Sequence, residues 1–141
     1  MPELFMGTDA GQNKNFSTKV LVSDDSETVR RGIRQLLSAH TKIEIVGEAA
    51  NYAQTIQLVC DLHPEIVVLD LHMPDERSHT PQEVKSHLKH RCQILAISFW
   101  NDEATALLAD CYGAVTFLDK TNLANTLIPT IVRLREKRGL E

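Results

Sequence analysis

The chain of 141 residues lacks any apolar run approaching the roughly 18–20 residues that cross a bilayer, which excludes a membrane-spanning helix. The stretch from Met1 to Ser17 is polar and has no apolar core of the kind a secretory signal carries, so none is expected. Cysteine is scarce. Cys60, Cys92 and Cys111 are odd in number, widely spaced and without a CxxC pair, which fits reduced thiols better than a disulfide framework. A cytoplasmic location follows as the expectation. Basic charge is not in excess either, since 15 Lys and Arg against 19 Asp and Glu leave a net charge of −4. Phosphate contact needs clustered cations, so this segment is not expected to bind nucleic acid by itself. The basic residues Arg133, Arg135, Lys137 and Arg138 are interleaved with Glu136 and read as a solvated helix face or a linker. His79, His87, His90 and Cys92 lie close together, but no spacing matches a structural zinc motif; polar positions on an exposed helix are the simpler reading.

What is present is alternation. Short β-branched runs occur at Val20–Ser23, Ile43–Gly47, Ile66–Asp70, Ile94–Ser98 and Val115–Leu118. Between them lie segments of helical spacing: Val29, Ile33, Leu36 and Leu37; Ile56, Val59, Cys60 and His63; Val84 and Leu88; Ala104, Leu107, Leu108 and Cys111; and Leu123, Leu127, Ile131 and Leu134. Continuous apolar strands, each followed by a helix, imply a parallel sheet covered on both faces. The expected fold is an α/β doubly wound (βα)5 domain with a five-stranded parallel sheet. Order is expected from Lys19, with residues 1–18 a flexible extension, 19–137 the domain and 138–141 a tail or linker.

Doubly wound sheets bind ligands at the carboxyl ends of their strands. Asp24 and Asp25 follow the first strand, Asp70 ends the third, Ser98 ends the fourth and Lys120 lies just past the fifth. An Asp-Asp pair alone could be a helix cap; it is the joint occurrence at successive strand ends that points to chemistry. Three converging carboxylates repel one another unless a cation joins them, and a hard, oxygen-seeking ion such as Mg2+ suits them. Asp70 is then the candidate nucleophile toward a phosphoryl group. Asp25 would be a direct metal ligand, Asp24 a ligand through water, and the backbone carbonyl of His72 a third oxygen. Lys120 and a hydroxyl would neutralise the phosphoryl oxygens.

The pieces KVLVSDDSETVRRGIRQLL, IEIVGEA, PEIVVLDLHMP, ILAIS and GAVTFLDK resemble a CheY-like (flavodoxin-like) response-regulator receiver domain from residue 19 to about 135. Arg30-Arg31-Gly32-Ile33 and Val46-Gly47-Glu48-Ala49 resemble its NarL/LuxR-type subclass. The resemblance implies that Asp70 is the phosphoacceptor for a sensor histidine kinase or phosphotransfer protein. It makes Asp24 and Asp25 the acid pocket, and Ser98, Phe117 and Lys120 the switch and phosphoryl-binding residues. It implies a response read out on the fourth helix, fifth strand and fifth helix, a second copy of the chain as one candidate partner, and DNA contact only through an output domain that this sequence does not contain. The expected role is a phosphoacceptor, with no enzymatic activity beyond self-catalysed phosphotransfer and dephosphorylation. The alternative is a receiver-like interaction module that is not phosphorylated; the intact set Asp24, Asp25, Asp70, Ser98 and Lys120 speaks against it.

Four departures stand out. The segment Asp75–Pro81 has no glycine, so the start of the third helix is expected to be remodelled with Pro81 in its first turn. Phe99 and Trp100 are bulky where relatives often have a small residue. Thr121, not proline, follows Lys120. Pro129 falls inside the fifth helix and is expected to kink it or delay its start.

Overall fold

The computed structural model describes residues 17–139. Strands β1 (Thr18–Ser23), β2 (Ile43–Ala49), β3 (Ile66–Asp70), β4 (Gln93–Ser98) and β5 (Thr116–Asp119) alternate with helices α1 (Glu27–Ser38), α2 (Tyr52–Leu62), α3 (Pro81–Leu88), α4 (Glu103–Cys111) and α5 (Leu123–Gly139). All strand pairs are parallel, in the order β2-β1-β3-β4-β5. Every residue of β3 is buried, as a central strand covered on both faces requires.

Two apolar layers flank the sheet. Val20, Val22, Ile66, Val68, Leu95 and Ile97 face α1 and α5, meeting Ile33, Leu37, Leu127 and Ile131. The alternate residues Leu21, Val67, Leu69, Ile94 and Ala96 face α2, α3 and α4, meeting Val59, Val84, Leu88, Ala109 and Tyr112. This period-two division puts each strand's reactive last residue at the same rim.

Several expectations need correction. The first strand begins at Thr18, one residue inside the expected extension, because Thr18 donates its N–H to the Lys42 carbonyl (2.8 Å) and pairs with Ile43. Residues 1–16 lie outside the described part of the chain, as do 140 and 141. In α2 the buried face is Tyr52, Thr55 and Val59; Cys60 and His63 are exposed, and His63 caps the helix with φ 50°. In α4 the expected stripe is rotated: Thr105, Ala109 and Tyr112 are buried, while Ala104, Leu107 and Cys111 face outward. Adjacent leucines at 107 and 108 make the helical phase ambiguous, and the large ring of Tyr112 settles it by filling the core. Helix α5 runs through Pro129 from Leu123, so its start is not delayed; a single 3-10 turn, Lys120–Asn122, precedes it. His79 lies before α3, not on it. That helix starts with Thr80 as cap, its hydroxyl accepting from Glu83 N–H, and Pro81 in the first turn, as expected. Gly113, at the turn from α4 into β5, has φ 82°, which a side chain would strain.

Candidate functional site

Asp24, Asp25, Asp70, Ser98 and Lys120 meet at the carboxyl rim of the sheet, in a cleft of about 210 Å³ also lined by Ser26, His72, Phe99 and Trp100. Carboxylate oxygens of Asp24, Asp25 and Asp70 lie within 4.8 Å of one another. Asp24 and Asp70 are buried and Asp25 is exposed. The Asp pair does not cap α1. Ser26 does, accepting from Val29 N–H, while Asp24 Oδ1 accepts the Ser26 N–H at 2.9 Å.

Lys120 Nζ sits between two of the carboxylates, 2.7 Å from Asp24 Oδ2 and 3.2 Å from Asp70 Oδ2. Asp70 Oδ1 accepts the His72 N–H at 3.1 Å. One ammonium and one N–H do not offset the confinement. Burial and, after it, the charge of Asp24 push the Asp70 carboxyl up to about 7, against the opposing pull of Lys120 and the His72 N–H. Asp24 Oδ2 is buried and meets Lys120 as an ion pair, without the angle of a hydrogen bond. The rim therefore carries more negative charge than its own cation satisfies, and its donors are all hard oxygens. The residues present fit a divalent cation of the Mg2+ kind.

The aromatic residues are part of this cleft. Lys120 Nζ lies 4.9 Å from the centre of the Phe99 ring, and the His72 and Trp100 rings meet edge to face at 5.4 Å. Ser98 Oγ accepts the Trp100 N–H at 3.0 Å and donates to no group among the described residues. Ser98 is opposite Asp119 in the β4–β5 register and Ala96 is opposite Phe117. Phe117 is thus one step back from Ser98 on the same face of the sheet, half-buried against the cluster of α2, α3 and α4.

Four residues around the site are given no role there by the sequence, although Arg30 and Glu48 lie in the pieces that resemble the subclass. Tyr52, wholly buried, donates its hydroxyl to the Asp70 carbonyl (2.8 Å) and stacks at 5.3 Å on Tyr112. Asp75 accepts the N–H groups of Tyr52 (2.9 Å) and Ala53 (3.0 Å), tying the loop after β3 to the start of α2. Arg30 and Glu48 form the third tie. Glu48, the next-to-last residue of β2, is bound by Arg30 Nε (3.1 Å) and Arg34 Nε (2.6 Å). These contacts join residues at least 14 positions apart, so no local pattern announces them.

A family model described as the response regulator receiver domain matches residues 20–132. The DNA-binding transcriptional activator DevR/DosR of Mycobacterium tuberculosis is 38% identical over 101 residues, 69% of this chain and 46% of that protein. The transcriptional regulatory protein YdfI of Bacillus subtilis is 30% identical over 114 residues, 80% of this chain and 53% of that protein. The chain thus spans about half the length of these two curated relatives. Among solved structures, the signal receiver domain of the response regulator NarL from Mycobacterium tuberculosis superposes with a TM-score of 0.75 at 24% identity, over 85% of this chain and 97% of that one.

Proposed function

The chain belongs to the response regulator receiver family, and on that premise we propose that Asp70 takes a phosphoryl group from the phosphohistidine of a sensor histidine kinase or phosphotransfer protein. The observation that carries this reading is the Asp70 carboxylate, buried at the rim with Lys120 3.2 Å away and the oxygens of Asp24 and Asp25 within 4.8 Å. An Asp70 oxygen attacks phosphorus in line as the bond to the donor's imidazole nitrogen breaks; with the donor's other ring nitrogen carrying a proton, the products are an acyl phosphate and a neutral imidazole. Asp24, Asp25, Asp70 and the His72 carbonyl would hold Mg2+, which neutralises phosphoryl oxygens when bound. Lys120 supplies an ammonium already placed beside the nucleophile. Ser98 offers its unused hydroxyl proton to one phosphoryl oxygen.

Ser98 is bonded to the Trp100 backbone, so drawing its hydroxyl inward moves the loop that leads into α4 and frees space for the Phe117 ring. That coupling shifts an existing equilibrium of the α4-β5-α5 surface. For a cytoplasmic chain of this family the proposed output is transcriptional control through a further domain, by analogy with the transcriptional activator DevR/DosR and the transcriptional regulatory protein YdfI. The chain itself acts as a phosphoacceptor and not as an enzyme on other substrates.

Incubation with acetyl phosphate and Mg2+ is expected to give a hydroxylamine-labile adduct that Asp70→Asn abolishes. Equal labelling of Asp70→Asn would overturn the assignment. Trp100 reports the switch: its fluorescence is expected to respond to Mg2+ and again to beryllofluoride, and Ser98→Ala should blunt only the second response.

A further inference from the structure

Asp25 has no tether of its own. Its carboxylate is exposed and makes no hydrogen bond or ion pair with any described residue. Only the backbone therefore sets where its Cα–Cβ bond starts, and the rigid peptide unit joining Asp24 to Asp25 is the immediate determinant of that. The carbonyl of that unit accepts a hydrogen bond from Arg30 Nη1 at 2.6 Å. On its other side, the Asp24 N–H donates to the Ala49 carbonyl at 3.0 Å. Residue 24 is held from both directions.

Arg30 is itself immobilised. Its Nε donates to Glu48 Oε1 at 3.1 Å and its Nη2 to Glu27 Oε1 at 2.6 Å, and its side chain is only 15% exposed. One planar fork thus joins the first turn of α1, the end of β2 and the peptide plane ahead of Asp25. A lysine could not satisfy three acceptors in fixed directions at once. The positive charge beside the carboxylates would by itself oppose a metal ion. Glu27 and Glu48, shared with Arg34, cancel it locally. What remains is orientation.

We propose that Arg30 is a positioning residue for the metal site, fixing the Asp24–Asp25 peptide plane so that Asp25 reaches the cation by side-chain rotation alone, without movement of its backbone. The inference rests on the reading of the rim as a Mg2+ site and adds a determinant of its affinity. Arg34 provides the internal control, because it binds the same two glutamates without touching Asp24.

The test is Mg2+ titration by calorimetry of wild type, Arg30→Ala, Arg30→Lys and Arg34→Ala, with urea midpoints measured alongside. Arg30→Ala is expected to weaken Mg2+ about three- to tenfold, in keeping with the loss of one charge-assisted hydrogen bond that only partly feeds into binding. Arg34→Ala should stay within about twofold of wild type while losing comparable surface ion pairs. Arg30→Lys should fall between, and it decides the matter if Arg30→Ala does not fold. In an Asp25→Ala background, titrated with Mn2+ if Mg2+ binds too weakly, Arg30→Ala should have no further effect, since the residue it positions is gone. Unchanged or tighter binding in Arg30→Ala, or an equal loss in Arg34→Ala, would overturn the proposal while leaving the metal site standing. A loss that persists undiminished without Asp25 would overturn it too. Wild type that binds no Mg2+ would remove the site and this inference together.

Discussion

Asp70 is a carboxyl group held where its charge is unwelcome. Burial and Asp24 push it up to about 7, well above the ordinary carboxylate range. Between the unfolded value and about 7 the folded chain keeps a proton that the unfolded chain has released. The stability this contributes is complete below the unfolded value and is lost as pH rises through about 7. Asp70→Asn removes the strain without removing the hydrogen-bonding oxygen. At pH 8 and without divalent cation it should raise stability by roughly 1–3 kcal/mol, and the gain should vanish toward pH 4. Urea midpoints at the two pH values check this; an equal gain at both would assign the effect to packing. The same strain would favour the proposed phosphotransfer, since a nucleophile stabilised elsewhere would have less to gain by sharing its charge with phosphorus and a metal. The identities of Asp24, Asp25, Asp70, Ser98 and Lys120 were legible because each follows an apolar strand, and strand ends converge by topology. Arg30, Tyr52 and Asp75 were not, because their partners at the site are two backbone carbonyls and a helix terminus, which are present at every residue and distinguish none.

The elements were readable wherever burial is two-sided. The third strand was placed at Ile66–Asp70, the bounds it has, because a fully enclosed strand is apolar from end to end. At the sheet edges the pattern blurs. Strand β2 runs two residues beyond the expected Gly47, and β5 starts after the exposed Val115. Helix phase is the other weakness: α4 turned because Leu107 could be traded for Leu108, whereas α5 kept Leu123, Leu127, Ile131 and Leu134 inside. Helix α1 carries one local rule broken without compensation. Gly32 lies in its interior, and a β-carbon there would meet nothing within 4 Å. Gly32→Ala should therefore stabilise the chain by about 0.5–1 kcal/mol. A raised urea midpoint with an unchanged slope is the expected outcome, and no change would mean that the helix end at Ser38, not its interior, limits its stability.

At the scale of the whole molecule the strand order brings β1 and β3 side by side and sets β4 and β5 beyond them, so the rim gathers residues from positions 24 to 120. A cation bound there engages only the completed fold. Mg2+ should raise the melting temperature, by about 1.4 kcal/mol of stability for each tenfold excess over its dissociation constant, and EDTA should reverse the rise. Asp25→Ala should show a smaller shift. A melting temperature indifferent to Mg2+ in wild type would count against the site. The spread of these residues along the chain also matters during synthesis. A polypeptide leaving the ribosome presents Asp24, Asp25 and Asp70 before β5 and Lys120 have been made. Until then Asp70 lacks the Lys120 ammonium, and Leu123, Leu127, Ile131 and Leu134 of the layer that α5 builds are missing. On the proposed function, competence to receive a phosphoryl group coincides with completion of the domain, and a truncated translation product would be mute.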